Sequence, residues 1–192
     1  MSHRPARAAW GLAGLVICLL PAMAIGSKDT PATTVEVERD GQVFEILSVS
    51  RILAGIDVAW AVLTDYEGYV NFVPGMTRSR QVSDQPIWIE QRGEFGVLFF
   101  RMPVYSTLEV EELPPATIRF HALEGNLRRL DTQVELHSDG DHVVVTYRSV
   151  IEPDFWVPPL IGTPLVRAAI GRRLDAVVDE IERRSANAEV IQ

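Results

Sequence analysis

Between Val104 and Ile151 apolar and polar residues alternate with a period of two, interrupted only by turn-forming pairs. Val104, Ser106, Leu108 and Val110 share one face of the first run, while Tyr105, Thr107, Glu109 and Glu111 share the other. After Pro114-Pro115 the inner set continues with Ile118, Phe120 and Ala122, and after the Gly125-Asn126 turn with Leu130, Thr132, Val134 and Leu136. Beyond the turn at Ser138 to Asp141 it resumes with Val143, Val145, Tyr147, Ser149 and Ile151. Successive side chains of a strand point to opposite faces, so one-sided alternation predicts an antiparallel sheet with one buried and one wet face. Thr77 to Val82, Ile87 to Gly93 and Val97 to Arg101 are strand-like but less regular, with Ile87, Ile89 and Gln91 assigned inward.

On either side of this sheet the pattern changes. Val35, Val37 and the run Val43 to Ser50 read as a hairpin around Asp40-Gly41. Asp57 is placed to cap a short helix that turns Val58, Trp60, Ala61 and Leu63 inward; Asp65 is placed to cap a second short turn bearing Tyr66, Tyr69 and Phe72, and Pro74-Gly75 ends it. Such short helices are marginal alone and must be held by the sheet. From near Pro158 or Thr163 to about Arg184, the residues Val166, Ile170, Leu174, Val177, Val178 and Ile181 form an apolar stripe at helical spacing. Thr163 before Pro164 has the cap-then-proline form of a helix start. The order predicts an α+β helix-grip fold: a curved antiparallel sheet wrapped around a long C-terminal helix, with two short helices after the first strand region and a cavity between sheet and helix.

Composition changes the picture mainly at the N-terminus. Arg4 and Arg7 precede an apolar segment that ends at Pro21 and the small-residue pattern Ala22-Met23-Ala24. From Trp10 to Ala24 it spans 15 residues, short of the roughly 20 a membrane-spanning helix needs, so residues 1–24 read as a cleaved signal peptide and the protein as periplasmic or secreted. Residues 25–33 form a flexible leader, 34–186 the ligand-binding domain and 187–192 a C-terminal tail. Cys18, the one cysteine, lies in the signal segment, which leaves the mature chain without a thiol. Loss of residues 1–24 removes two of 18 basic and none of 26 acidic residues, taking the formal charge from -8 to -10. That charge excludes nucleic acid as an expected partner.

Four segments carry a family resemblance: AWAVLTDYEGYVNFVPGM at 59–76, EGNLRRLDTQVEL at 124–136, VVVTYRSVIEP at 143–153 and FWVPPL at 155–160. In these the chain resembles the START, polyketide-cyclase and birch-allergen-like (SRPBCC) superfamily, over roughly Val35 to Arg184, and is most similar to the cyclase/dehydrase group that includes coenzyme Q-binding START-type proteins. The resemblance implies the helix-grip fold and a cavity for a hydrophobic molecule. Members with these signals include lipid carriers, hormone-binding proteins and polyketide aromatases, so the motifs specify fold and not chemistry.

The inner faces supply the candidate lining: Val104, Ser106, Leu108, Phe120, Leu130, Thr132, Val134, Val145, Tyr147, Ser149, Val166 and Ile170, with Trp156 beside Phe155 as one lip of the mouth. Apolar members serve a packed core or a cavity wall equally well. The hydroxyls discriminate better, because one buried without a partner costs about 1–3 kcal/mol; Ser106, Thr132, Tyr147 and Ser149 therefore point to water or a polar ligand group, or else to local hydrogen bonds. Tyr147 pairs an apolar ring with a hydroxyl able to reach a ligand oxygen. Gly162 and Gly171, in or near the last helix, serve close packing or leave room for a ligand. His121 is placed outward and His137 and His142 flank an acidic turn, so no metal site is expected, and no cofactor. The leading expectation is a non-enzymatic binder or carrier of a lipid, isoprenoid or polyketide-like molecule, with transient contact to a membrane or envelope protein. The alternatives are a metal-free polyketide cyclase/aromatase acting in the same cavity and a ligandless envelope interaction domain.

Overall fold

The computed structural model describes residues 33–97 and 100–190. The expected signal segment and most of the leader lie outside the described residues. A hairpin, β1 (Thr34–Asp40) and β2 (Val43–Ile52), turns at Gly41 with φ +60°. Two short helices follow, α1 (Ile56–Leu63) and α2 (Tyr69–Phe72). Then come β3 (Met76–Asp84), β4 (Ile87–Val97), β5 (Phe100–Leu113), β6 (Thr117–Gly125), β7 (Leu127–Asp139) and β8 (His142–Pro153), and last α3 (Pro159–Val190). The expected separate runs at Val97 to Arg101 and from Val104 instead belong to the β4 end and one continuous β5, which pairs with β4 without interruption from Phe100 to Val110.

The eight strands form one antiparallel sheet in the order β1-β2-β8-β7-β6-β5-β4-β3. Strands β3 to β8 are a simple meander, and β8 closes the arrangement by pairing with β2. The α1–α2 segment therefore carries the chain from β2 across to the far edge of the sheet. Register shifts in the β3–β4, β5–β6 and β7–β8 pairs bend the strands, as bulges do, and let the sheet curl around α3.

Burial follows the expected faces. Phe44, Ile46, Ile52, Leu108, Val110, Ile118, Val134, Leu136 and Val143 are buried, and α3 brings Val166, Ile170, Val178 and Ile181 against them. The helix starts at Pro159, one residue after the earlier of the two expected starts, Pro158, so Thr163 and Pro164 lie inside it, and it continues beyond Arg184 to Val190. Proline suits a first helical position because its missing N–H would have no partner there.

The short helices differ from expectation in their caps. Gly55, in extended conformation, is the N-cap of α1, and Asp57 sits in the first turn without capping it. With this earlier start α1 buries Ala59, Val62 and Leu63; Ala61 is exposed and Val58 and Trp60 are half-buried. Asp65 does not cap α2, which begins after Gly68. Instead its carboxylate accepts the Gly68 N–H at 3.1 Å and an Arg184 N–H at 2.6 Å, tying the α1–α2 corner to α3. Arg184 also donates to Glu180. Hydrogen bonds from Arg183, and then from Arg184, hold the Glu180 carboxyl down to about 2 from its usual 4.5.

Candidate functional site

Between the concave face of the sheet and α3 lies a cavity of about 240 Å³, close to the lower end of the roughly 300–1,000 Å³ usual for small-molecule sites. Alternation puts its walls in place. Leu108, Val104, Phe120, Leu130, Val134 and Val145 project from β5 to β8, and α3 supplies Val166, Ile170, Leu174 and Val177 from the opposite side. Ile52, Leu63 and Ile181 form the floor, where the space gives way to solid packing.

Of the candidates named from sequence, Val104, Ser106, Leu108, Phe120, Leu130, Thr132, Val134, Val145, Tyr147, Val166 and Ile170 come together around this space. Two do not. Ser149 is buried on the same sheet face, but its hydroxyl is spent on Thr132: the two residues are register partners and their oxygens lie 2.7 Å apart. Trp156 is 67% exposed and turned outward with Leu160 and Ile161. The period of two in β8 continues past the strand end, so Ile151, Pro153, Phe155 and Val157 face the cavity and the residue between the last two must face out. Gly162 meets the close-packing reading: a Cβ there would lie 2.3 Å from Arg39 Nη1 and 2.8 Å from Val157 Cγ1. Arg39 donates to the carbonyls of Val157 and Pro158, at 2.7 and 2.9 Å, which holds the segment carrying Phe155 and Val157 against β1.

The hydroxyls fall into two kinds. Thr132 and Ser149 satisfy each other. Ser48, Ser106 and Tyr147 line the cavity, and no described hydrogen bond uses their side chains, although among the described residues no fully enclosed polar side-chain atom is left without a partner. Their oxygens are thus open to the cavity space. Ser48 is the register partner of Tyr147 on the β2–β8 wall, and Ser106 that of Gln91 on the β4–β5 wall. Polar groups therefore mark two facing walls of an apolar space.

Gln91, expected to face inward, lines the cavity, as do Ser48, Ser50 and Arg173, which the sequence reading did not place there. Ser48 and Ser50 alternate in step with Ile46 and Ile52, so their face was readable. Arg173 follows Ile170 by three residues and precedes Val177 by four, which places it on the inner stripe of α3. Its guanidinium donates to the Glu94 carbonyl at 2.9 Å and lies over the Phe95 ring at 5.5 Å. Burial lowers its pKa, and the nearby Tyr147 side chain opposes that shift. Space for this contact depends on two glycines. Gly75 (φ +77°) and Gly93 approach so closely that a Cβ on Gly93 would lie 2.2 Å from the Gly75 carbonyl oxygen, and the Gly75 carbonyl accepts the Glu94 N–H at 2.8 Å.

The lining holds no Asp, Glu or His among the described residues. Its titratable groups are Tyr69, Tyr147, Arg92 and Arg173. Burial, followed by the charge of Asp65, pushes the Tyr69 phenol up, and it donates to the Leu63 carbonyl at 2.6 Å. Among the described residues no group of three or more His, Cys, Asp or Glu side chains converges.

A family model described as polyketide cyclase / dehydrase and lipid transport matches residues 53–178, and the chain belongs to this family. No curated protein matches the sequence significantly. Among solved structures, the chain is similar to a START superfamily protein from Mycobacterium smegmatis, with TM-score 0.59 and 14% identity over 75% of this chain and 98% of that one. A STAR-related lipid transfer protein from Xanthomonas axonopodis gives TM-score 0.57 and 18% identity over 77% and 98% of the two chains. An aromatase/cyclase from Streptomyces gives 0.56 and 18% over 74% and 95%. At such identities the likeness speaks to the fold. Family membership places the chain among polyketide cyclase/dehydrase and lipid-transport domains, without singling out a coenzyme Q-binding group.

Proposed function

We propose that this member of the polyketide cyclase/dehydrase and lipid transport family binds a lipid, isoprenoid or polyketide-like molecule between sheet and α3 and carries it unchanged, in the periplasm or outside the cell. The observation that carries the reading is an apolar cavity with open hydroxyls at Ser48, Ser106 and Tyr147. A hydroxyl turned into an enclosed apolar space is costly unless water or a ligand oxygen meets it. Binding without chemistry is favoured over a cyclase because general acid–base catalysis works best with a group titrating near the working pH. The described lining offers only tyrosines and arginines. An interaction domain without a ligand has less support, since it has no use for an open interior.

Native mass spectrometry of protein purified from its own envelope fraction without detergent, followed by denaturing extraction, tests the proposal. A stoichiometric hydrophobic adduct is expected. An apo mass together with no uptake from a lipid extract would overturn it, and turnover of a polyketide-like chain that is lost in Tyr147→Phe would transfer the assignment to a cyclase.

A further inference from the structure

A positive charge on the inner stripe of α3 is the least expected feature of the cavity. The α3 residues around Arg173 face the sheet as apolar side chains: Val166 and Ile170 before it, Leu174, Val177 and Val178 after it. Among the described residues Arg173 forms no ion pair with any carboxylate. The partners it does have are a backbone carbonyl, that of Glu94, and the face of Phe95, while Arg172 beside it repels it. The other arginines of α3 nearer its C-terminus, Arg183 and Arg184, are both paired with carboxylates. A guanidinium offers a fork of donors matched to carboxylate or phosphate oxygens, and here one carbonyl uses only part of it. A neutral ligand oxygen would leave this half-buried charge without a counter-charge at the edge of an apolar lining, where an ionised ligand group forms the stronger hydrogen bond.

Resting on the ligand-binding reading above, we propose that the cavity selects amphiphiles with an anionic head, a carboxylate or phosphate on an apolar tail. The head sits against Arg173 at the α3–β4 wall. Tyr147, which lines the same cavity as Arg173 and whose hydroxyl no described hydrogen bond uses, donates a second hydrogen bond to the same head. The tail lies along Val104, Phe120 and Val145 towards the floor at Ile52 and Ile181. Arg173 thereby sets both the class of ligand and its direction in the cavity.

The test compares three probes with the same tail, dodecanoate, dodecyl phosphate and dodecanol, by titration calorimetry with the lipid-free protein. At least one anion should bind about tenfold more tightly than the alcohol, the difference between a charge-assisted and a neutral hydrogen bond. Which anion is preferred separates a fatty-acid-like from a phospholipid-like source. Arg173→Gln should erase the preference while leaving dodecanol affinity within about threefold, Arg173→Lys should keep part of it, and Arg172→Gln should keep all of it. Equal wild-type affinity for all three probes overturns the head-group assignment yet leaves a hydrophobic binder standing. So does an anion preference that survives Arg173→Gln. Failure of every probe to bind overturns both readings, and the wild-type ratio alone decides the matter where Arg173→Gln does not fold.

Discussion

The two ends of the space beneath the sheet are built from the same alternating strands and yet do opposite things. At the α1 end, Val62, Ile89, Ile118 and Val143 are fully buried, and the polar atoms there are used by the protein itself. Tyr66 donates to Glu112 at 2.6 Å, Tyr69 donates to the Leu63 carbonyl, and the Tyr66 ring packs edge-on against Tyr69 and Phe120. Burial, then the bond to Glu112, keeps the Tyr66 phenol protonated well above its usual range. Around the cavity, Ser48 and Tyr147 on the β2–β8 wall and Ser106 on the β4–β5 wall leave their hydroxyls open, and Arg173 has no carboxylate partner among the described residues. An inward-facing position is thus not one kind of environment. What separates core from site is whether the protein satisfies its own polar groups there.

The comparison is broken most forcefully by removing volume. Ile118→Ala, in the packed end, should cost about 2–5 kcal/mol in chemical denaturation because the void cannot collapse. Val104→Ala, on the cavity wall, should cost less than about 1.5 kcal/mol, since its methyls already border open space. Equal losses at the two sites would mean that the interior is uniformly packed.

Next in size come the hydroxyls. Thr132→Val leaves the buried Ser149 hydroxyl without its partner and should cost about 1–3 kcal/mol, much of it recovered in the double variant Thr132→Val/Ser149→Ala. Ser106→Ala, by contrast, should stay within about 0.5 kcal/mol of wild type by thermal denaturation. A large loss in Ser106→Ala would reveal a protein partner for a hydroxyl read here as open to ligand.

A smaller effect sharpens the contrast between paired and unpaired arginines. The Glu180 carboxyl is held at about 2 in the folded chain against a usual 4.5, so its stabilising contribution is complete above pH 4.5 and is lost as the pH falls from there through about 2. Glu180→Gln should therefore destabilise the neutral protein by roughly 1 kcal/mol, and the gap to wild type should close across that acid window in urea melts. A gap unchanged at pH 2 would show that the loss is one of packing. The smallest change in stability is expected for Tyr147→Phe, within about 0.5 kcal/mol, with ligand affinity lowered in calorimetry by a few-fold from the lost hydrogen bond.

Most of the sheet could be read directly, because strand alternation is a local property that a curved antiparallel sheet preserves from β5 to β8. Apart from the half-buried Ala122, the inner set from Val104 to Ile151 is the buried or lining set, and the α3 stripe falls on the cavity side. Two further positions also follow from the local pattern. Carried past Pro153, the same alternation assigns Phe155 inward and Trp156 outward, and carried through Ile170 the helical stripe includes Arg173. The caps were harder to read. Asp57 and Asp65 look like helix starters, but α1 already begins at Ile56, and Arg184, 119 residues away, takes the Asp65 carboxylate.

By itself the sequence determined the element order, the inward faces and the need for a large apolar partner for the last helix, since each follows from the periodicity of neighbouring residues and from turn chemistry. Only the tertiary structure decided which inward hydroxyls are spent on each other and which stay open, and that Arg173 meets a carbonyl and a ring in place of a carboxylate. Those outcomes depend on register between strands and on the closeness of α3 to β4, distances set by the packing of segments far apart in the chain.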